Sequence, residues 1–156
     1  MNRILLSLFV VLAVSVVSCK DDDDAKPSYN FKDQDVQGKI GNESWTYVDG
    51  YALADEFFVI TLTLEEAETG CNISVPEKDR VAFIADFDKK VYPLGTGSTV
   101  YTVTLTDAQN VQDQQIALDG AIEITEVTDT HVSGRIDAHV NDAYFVNGNF
   151  TVPICK

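Results

Sequence analysis

From residue 36 onward, apolar and polar side chains alternate with a period of two, the pattern of half-buried β-strands. The alternation predicts strands at residues 36–40, 45–51, 57–64, 99–106, 132–140 and 145–152, with weaker strands at 71–75, 80–85 and 117–126. The inward faces of the best three are predicted to carry Phe58, Ile60, Leu62 and Leu64; Val132, Gly134, Ile136, Ala138 and Val140; and Val146, Gly148, Phe150 and Val152.

No segment carries a convincing helical stripe, and the connections are too short for the crossovers that parallel sheets need. The sequence therefore predicts one all-β domain at residues 36–156, folded as an antiparallel β-sandwich. A closed, lipocalin-like β-barrel is the alternative. The length is sufficient to bury a hydrophobic core.

The N-terminus has a different pattern. Arg3 precedes an apolar run at residues 4–17 that is interrupted only by Ser7 and Ser15, which is a secretory signal in outline. Fourteen helical residues rise only about 21 Å, short of the hydrocarbon core of a bilayer at about 30 Å. Residues 1–18 are therefore predicted to be a signal peptide, and residues 19–35 an acidic, flexible tether.

The run ends at Val16-Val17-Ser18-Cys19, which resembles the lipobox of bacterial lipoproteins. The resemblance implies that Cys19 is lipidated and becomes the first residue of the mature chain. Lys20, Asp21 and Asp22 follow directly and resemble the export signal of Bacteroidetes-type outer-membrane lipoproteins. That signal implies an outer-membrane anchor facing the cell exterior, with the periplasmic face as the alternative.

Two segments of the folded part extend this resemblance to small, surface-exposed Bacteroidetes-type lipoproteins. They are residues 38–45, where two glycines precede Trp45, and residues 132–150, which read as a closing hairpin before the late Cys155. This group of proteins has no assigned activity, so the resemblance bears on location and fold.

The chain has 25 acidic and 11 basic residues, for a formal net charge of −14. Arg3 is the one charged residue before Cys19, so the charge from Cys19 onward is −15. Such a surface argues against binding to nucleic acid and against adhesion to anionic lipid, which both require a positive field. With Cys19 assigned to lipid, Cys71 and Cys155 remain as a predicted disulfide, and two separate buried thiols are the alternative.

No catalytic motif is present. Ser133, Arg135, Asp137 and His139 share the outward face of one predicted strand, but about 20 Å of strand separates Ser133 from His139, too far for a triad. Arg135 and Asp137 are instead expected to pair across strands with Glu123 and Thr125.

Carboxylates occur in pairs at Asp55/Glu56 and Asp86/Asp88, as a hydrolase would require, but chance supplies such pairs in a chain this acidic. No metal or cofactor is predicted. A structural Ca²⁺ is the alternative, in one of the oxygen-rich turns that contain Asp86 and Asp88; Asn141 and Asp142; or Asp107, Asn110 and Asp113.

The candidate ligand-binding residues are Trp45, Tyr47, Asp49 and Tyr51. On one regular strand they share a face, and a row of aromatic rings with an acid between them suits stacking on a sugar. The alternative is that Trp45 is a core residue, as a lone tryptophan in a small β domain usually is.

Taken together, these features predict a lipid-anchored envelope protein with a non-catalytic β domain that binds a glycan or an envelope protein. A hydrolase outside the outer membrane and a purely structural envelope component are the alternatives.

Overall fold

The computed structural model describes residues 28–65, 71, 78–97, 101–112 and 114–155. Across these residues the chain is almost entirely β, with eleven strands and one short 3₁₀ helix, Ala108–Asn110. The strands are β1 Gln37–Ile40, β2 Glu43–Thr46, β3 Asp49–Ala54, β4 Phe58–Thr63, β5 Arg80–Ala85, β6 Val91–Pro93, β7 Val103–Thr106, β8 Gln115–Ala117, β9 Asp119–Val127, β10 His131–Asn141 and β11 Tyr144–Cys155. No helix of the described part is long and apolar enough to cross a membrane.

The strands form one hydrogen-bonded sheet in the order β6-β9-β10-β11-β3-β4-β5-β7-β8, and the β1–β2 hairpin is added to β11. All pairs of strands are antiparallel except β11 with β3, which pair in parallel through Ile154 with Ala52 and Cys155 with Leu53. The sheet is curled and open, a half-barrel. The all-β prediction is confirmed, and the choice between a sandwich and a closed barrel stays a prediction.

The apolar positions of the predicted alternation are buried, although Thr61 and Thr63 on the other face of β4 are buried as well. In β4 the even-numbered residues Phe58, Ile60 and Leu62 are buried, and in β11 the same holds for Val146, Phe150 and Val152. The buried side chains of β10, which are Val132, Ile136 and Ala138, complete the predicted inward faces. They join one continuous core with residues from β1, β2, β5, β7, β8 and β9.

Strand β11 is the strand at which the sheet turns. Its first half pairs with β1, its last two residues pair with β3, and its other edge pairs with β10 throughout. Phe150 lies opposite Gly134 of β10, where an added Cβ would come within 2.6 Å of the Phe150 ring. The ring therefore occupies the space above Gly134, and it meets Phe83 of β5 edge to face at 5.4 Å.

The two remaining cysteines form a disulfide between Cys71 and Cys155, with Cα atoms 5.5 Å apart. The bridge closes a separation of 84 residues and ties the last residue of β11 to the segment between β4 and β5. It confirms the predicted pairing. The predicted strand at residues 71–75 otherwise lies outside the described residues.

The burial of Trp45 gives a first testable prediction. Its side chain is 1% exposed, and its indole N–H donates to the carbonyl oxygen of Asp79 at 3.1 Å. Trp45→Ala should lower the free energy of unfolding by about 3–5 kcal/mol in urea titrations, because it leaves a large cavity. Acrylamide should quench the fluorescence of this single tryptophan only after denaturation.

Phe57→Ala is the matched control, because Phe57 is 38% exposed. Its loss should cost less than about 1 kcal/mol. Strong quenching of Trp45 in the native protein, or equal losses for the two variants, would contradict a core role for the tryptophan.

Candidate functional site

The residues that carry the predicted anchor, Cys19, Lys20, Asp21 and Asp22, lie outside the described residues. Their roles in lipidation and export stay predictions. The other predicted site residues, apart from Asp113, lie in the described part.

The predicted aromatic row is wrong as a surface. Trp45 is in the core, so its ring cannot stack on a ligand. In β3 the buried residues are Gly50 and Ala52, which places Asp49 and Tyr51 on the opposite, outer face. Trp45 therefore points into the core while Asp49 and Tyr51 point away from it.

The physical reason is that the chain changes partners between Tyr47 and Val48. The backbone N–H of Tyr47 donates to Val36 beside β1, whereas the N–H of Val48 donates to Thr63 of β4. This crossing shifts the alternation by one residue, so residues 45–51 are not one strand. Tyr47 is half-buried, its hydroxyl donates to the carbonyl oxygen of Thr151 at 2.5 Å, and burial raises the pKa of its phenol.

The outward face of β10 makes structural contacts. The predicted pair of Arg135 and Glu123 is confirmed: the residues are in register, and the guanidinium Nε donates to the Glu123 carboxylate. Ser133 shares a hydrogen bond with Thr151 at 2.9 Å. The pairing of Asp137 with Thr125 is wrong, because antiparallel strands run in opposite directions: the residue two positions after Arg135 on β10 lies opposite the residue two positions before Glu123 on β9, which is Ala121.

Asp137 instead belongs to a site that the sequence did not reveal. Asn147 of β11 is 7% exposed, and its side-chain amide donates to Asp137 Oδ1 at 2.7 Å and to the carbonyl oxygen of Asn30 at 2.9 Å. Its side-chain oxygen accepts from the backbone N–H of Lys32 at 2.8 Å. Two of these three bonds hold residues that precede the first strand, and the third joins β11 to Asp137 of β10.

We call residues 30–35 the N-terminal strap. It crosses the outer face of β10 and β11, where the Phe31 ring lies 4.7 Å from the Arg135 guanidinium and the Asp33 carboxylate accepts from Asn149 at 3.1 Å. Asp35 forms a bridge with Asn149. The folded domain therefore begins before residue 36, and this part of the predicted flexible tether is attached to the sheet. The sequence signal that could have predicted the strap is the pair of outward polar residues on β11, Asn147 and Asn149, because such side chains need hydrogen-bond partners.

A second polar cluster follows β5. The Lys90 ammonium lies 3.2 Å from carboxylate oxygens of both Asp86 and Asp88, and it sits 5.0 Å from the centre of the Tyr92 ring. The Tyr101 hydroxyl donates to Asp86 at 2.7 Å, and this bond, supported by Lys90, lowers the pKa of the Asp86 carboxyl. The same bond raises the pKa of the Tyr101 phenol.

This cluster occupies one of the turns considered for Ca²⁺, and its carboxylates face an ammonium group. In a second turn, Asp107 accepts from the backbone N–H of Gln109 and caps the 3₁₀ helix. Asp113 of that loop lies outside the described residues. Among the described residues, no three His, Cys, Asp or Glu side chains are grouped so that they could hold a metal ion.

A groove of 390 Å³ lies on the outer face of β4, β5 and β7. Its lining is mainly apolar, and consists of Val59, Ala82, Phe83, Ile84, Tyr101, Thr102 and Thr104. Val59 and Ile84 are cross-strand neighbours, as are Ala82 and Thr104. The groove depends on how the strands are paired, which the alternation of residues does not specify.

Comparison of the chain with known proteins finds no matching family model, no matching curated protein and no matching solved structure.

The strap gives a second prediction. Asn147→Ala removes the bonds to Asn30, Lys32 and Asp137, so the amides of the strap should exchange with deuterium markedly faster. The free energy of unfolding should fall by about 1–3 kcal/mol, since buried polar groups lose their partners. Hydrogen exchange by mass spectrometry and urea titration are the measurements.

Asn149→Ala is the matched control on the same face of the same strand, because its side chain makes one exposed bond to Asp33. It should change the exchange of the strap and the stability much less. Equal behaviour of the two variants would contradict the role given to Asn147.

The third prediction concerns pH. Tyr92 is buried, its hydroxyl donates to the carbonyl oxygens of Asp86 and Asp88, and burial raises the pKa of its phenol to about 12. Because the pKa is higher in the folded state than the usual value of about 10, the stability that Tyr92 contributes is present below pH 10. It is lost as the pH rises toward about 12.

Tyr92→Phe should therefore cost about 1–2 kcal/mol at neutral pH, through two lost hydrogen bonds, and the gap to wild type should narrow above about pH 10. Urea unfolding of both proteins in neutral and alkaline buffers measures it. Tyr51→Phe, in β3, controls for the loss of one tyrosine. A gap that stays constant across the alkaline range would contradict the assignment.

Proposed function

We propose that this protein is a lipid-anchored component of the outer membrane, displayed at the cell surface, whose single β domain binds an envelope protein and catalyses no reaction. The observation that carries the anchor is the order of residues at the N-terminus: an apolar run, Val16-Val17-Ser18-Cys19, then Lys20-Asp21-Asp22. Lipid on Cys19 supplies the attachment, and the acidic domain is repelled by anionic headgroups.

A binding role is supported by how the polar side chains are used. Several candidates for catalysis are engaged in contacts that stabilise the fold: Ser133 with Thr151, Arg135 with Glu123, and Asp86 with Tyr101 and Lys90. A protein partner is preferred to a glycan because Trp45, the main residue proposed for stacking on a sugar, is buried.

The strap affects how the domain is held. A tether of residues 20–35 could extend about 55 Å, at about 3.5 Å per residue, whereas attachment from Asn30 leaves only residues 20–29, or about 35 Å. The domain is then held close to the membrane.

Phe83 of β5 meets Phe150 of β11 across the core, so the groove on β5 faces away from the strap on β11.

The fourth prediction tests the anchor. Cys19→Ala should release the protein from membranes or leave it unprocessed, because lipid on Cys19 is the attachment. Detergent phase partitioning measures the release, and protease added to intact cells measures surface exposure. Ser7→Ala, a change inside the apolar run, is the control and should still enter the detergent phase.

A Cys19→Ala protein that partitions like wild type would contradict the lipid anchor. Full protection of the wild-type protein from external protease would place the domain on the periplasmic face.

A further inference from the structure

We infer that the groove on the outer face of β4, β5 and β7 is the docking surface for a partner segment that combines aliphatic and basic side chains. The surface includes the two turns at the end of the groove, one between β3 and β4 and one after β5. We call this surface the outer groove. The inference deepens the proposed binding role and rests on it, but it does not depend on the lipid anchor.

The outer groove exposes apolar side chains to solvent. Ile84 is 45% exposed, and its cross-strand neighbour Val59 and the nearby Ala82 line the same groove. Phe57 extends the apolar surface beyond the start of β4. Aliphatic side chains on the outer face of a sheet match aliphatic side chains of a partner, and burial of both surfaces favours the complex.

Acidic side chains lie at one end of the outer groove. The turn between β3 and β4 places Asp55 and Glu56 next to Phe57, and neither acid forms an ion pair within the described part of the chain. Phe58 pairs with Ala85, so the turn with Asp86 and Asp88 lies at the same end of the sheet. The second turn holds Lys89 and Lys90 beside Asp86 and Asp88, so its formal charge is balanced, and the excess negative charge at this end of the groove comes from Asp55 and Glu56.

The position of the apolar and the acidic side chains indicates which kind of partner the outer groove binds. A second copy would bring the same acidic β3–β4 turn and a second strongly acidic domain to this face, which electrostatic repulsion opposes. A partner with Lys or Arg beside aliphatic residues meets both the apolar floor and the acidic end. Complementary charge would also speed its association and make the affinity salt-dependent.

The test uses the full-length lipidated protein in nonionic detergent, with empty micelles as blank. The probe is a fluorescein-labelled octapeptide of alternating lysine and valine, titrated by fluorescence anisotropy. We expect saturable binding that weakens with salt. The same peptide with glutamate in place of lysine should not bind.

Two variants, each with a matched control, locate the site. Ile84→Ser should weaken the affinity by about fivefold, because it removes apolar contact area. Val48→Ser is its matched control, since Val48 is 51% exposed but lies between β2 and β3, away from the groove, and it should leave the affinity unchanged. The double variant Asp55→Asn, Glu56→Gln should weaken binding more than the double variant Asp129→Asn, Asp142→Asn, which removes the same charge from other turns.

Equal affinity of the Ile84→Ser and wild-type proteins overturns the inference, and so does equal weakening by the two double variants. Sedimentation that shows a dimer lost in Ile84→Ser would make a second copy the occupant, and displacement of the peptide by dextran would make it a glycan. Both results overturn the inference. Membrane partitioning is measured separately, so failure here is distinguishable from failure of the anchor.

Discussion

The packing of Phe150 over Gly134 and against Phe83 is the contact on which the curled sheet depends. A strand has two edges, and β11 uses one of them entirely for β10. Its other edge is divided between β1 and β3, so the sheet turns along this strand. A side chain larger than glycine at position 134 would displace the Phe150 ring, which fills the space between the two halves of the sheet. The disulfide at Cys155 then fixes the end of the same strand.

Much of this fold can be predicted from residue alternation, because burial on one face of a strand is a local property. The inward faces of β4, β10 and β11 were predicted correctly, except that Leu64 and Val140 are only partly buried. The error at residues 45–51 has a physical cause: Tyr47 and Val48 hydrogen-bond to different strands, and alternation carries no information on strand partners. The single predicted strand at 117–126 divides at Leu118 into β8 and β9 for the same reason.

The candidate site was less predictable than the fold. The strap depends on Asn147 meeting Asn30 and Lys32, residues more than a hundred positions away, and no local pattern specifies such contacts. The outer groove depends on the pairing of β4 with β5 and of β5 with β7. The pair of Arg135 and Glu123 was predictable because the two strands are neighbours joined by a short turn. Of the acidic side chains at the groove end, Asp86 contacts Tyr101 and Lys90, whereas Asp55 forms no ion pair within the described residues.

The strap also determines how the domain responds to mechanical load. Under the proposed anchoring, tension between the membrane and a bound partner acts first on the hydrogen bonds that Asn147 makes to the strap, before it reaches the core. Detachment of residues 30–35 from the sheet would lengthen the tether by about 20 Å, at about 3.5 Å per residue, while β10 and β11 stay paired. The strap is thus an extensible element in series with a stiff sheet, and it lets the domain yield to a pull without unfolding.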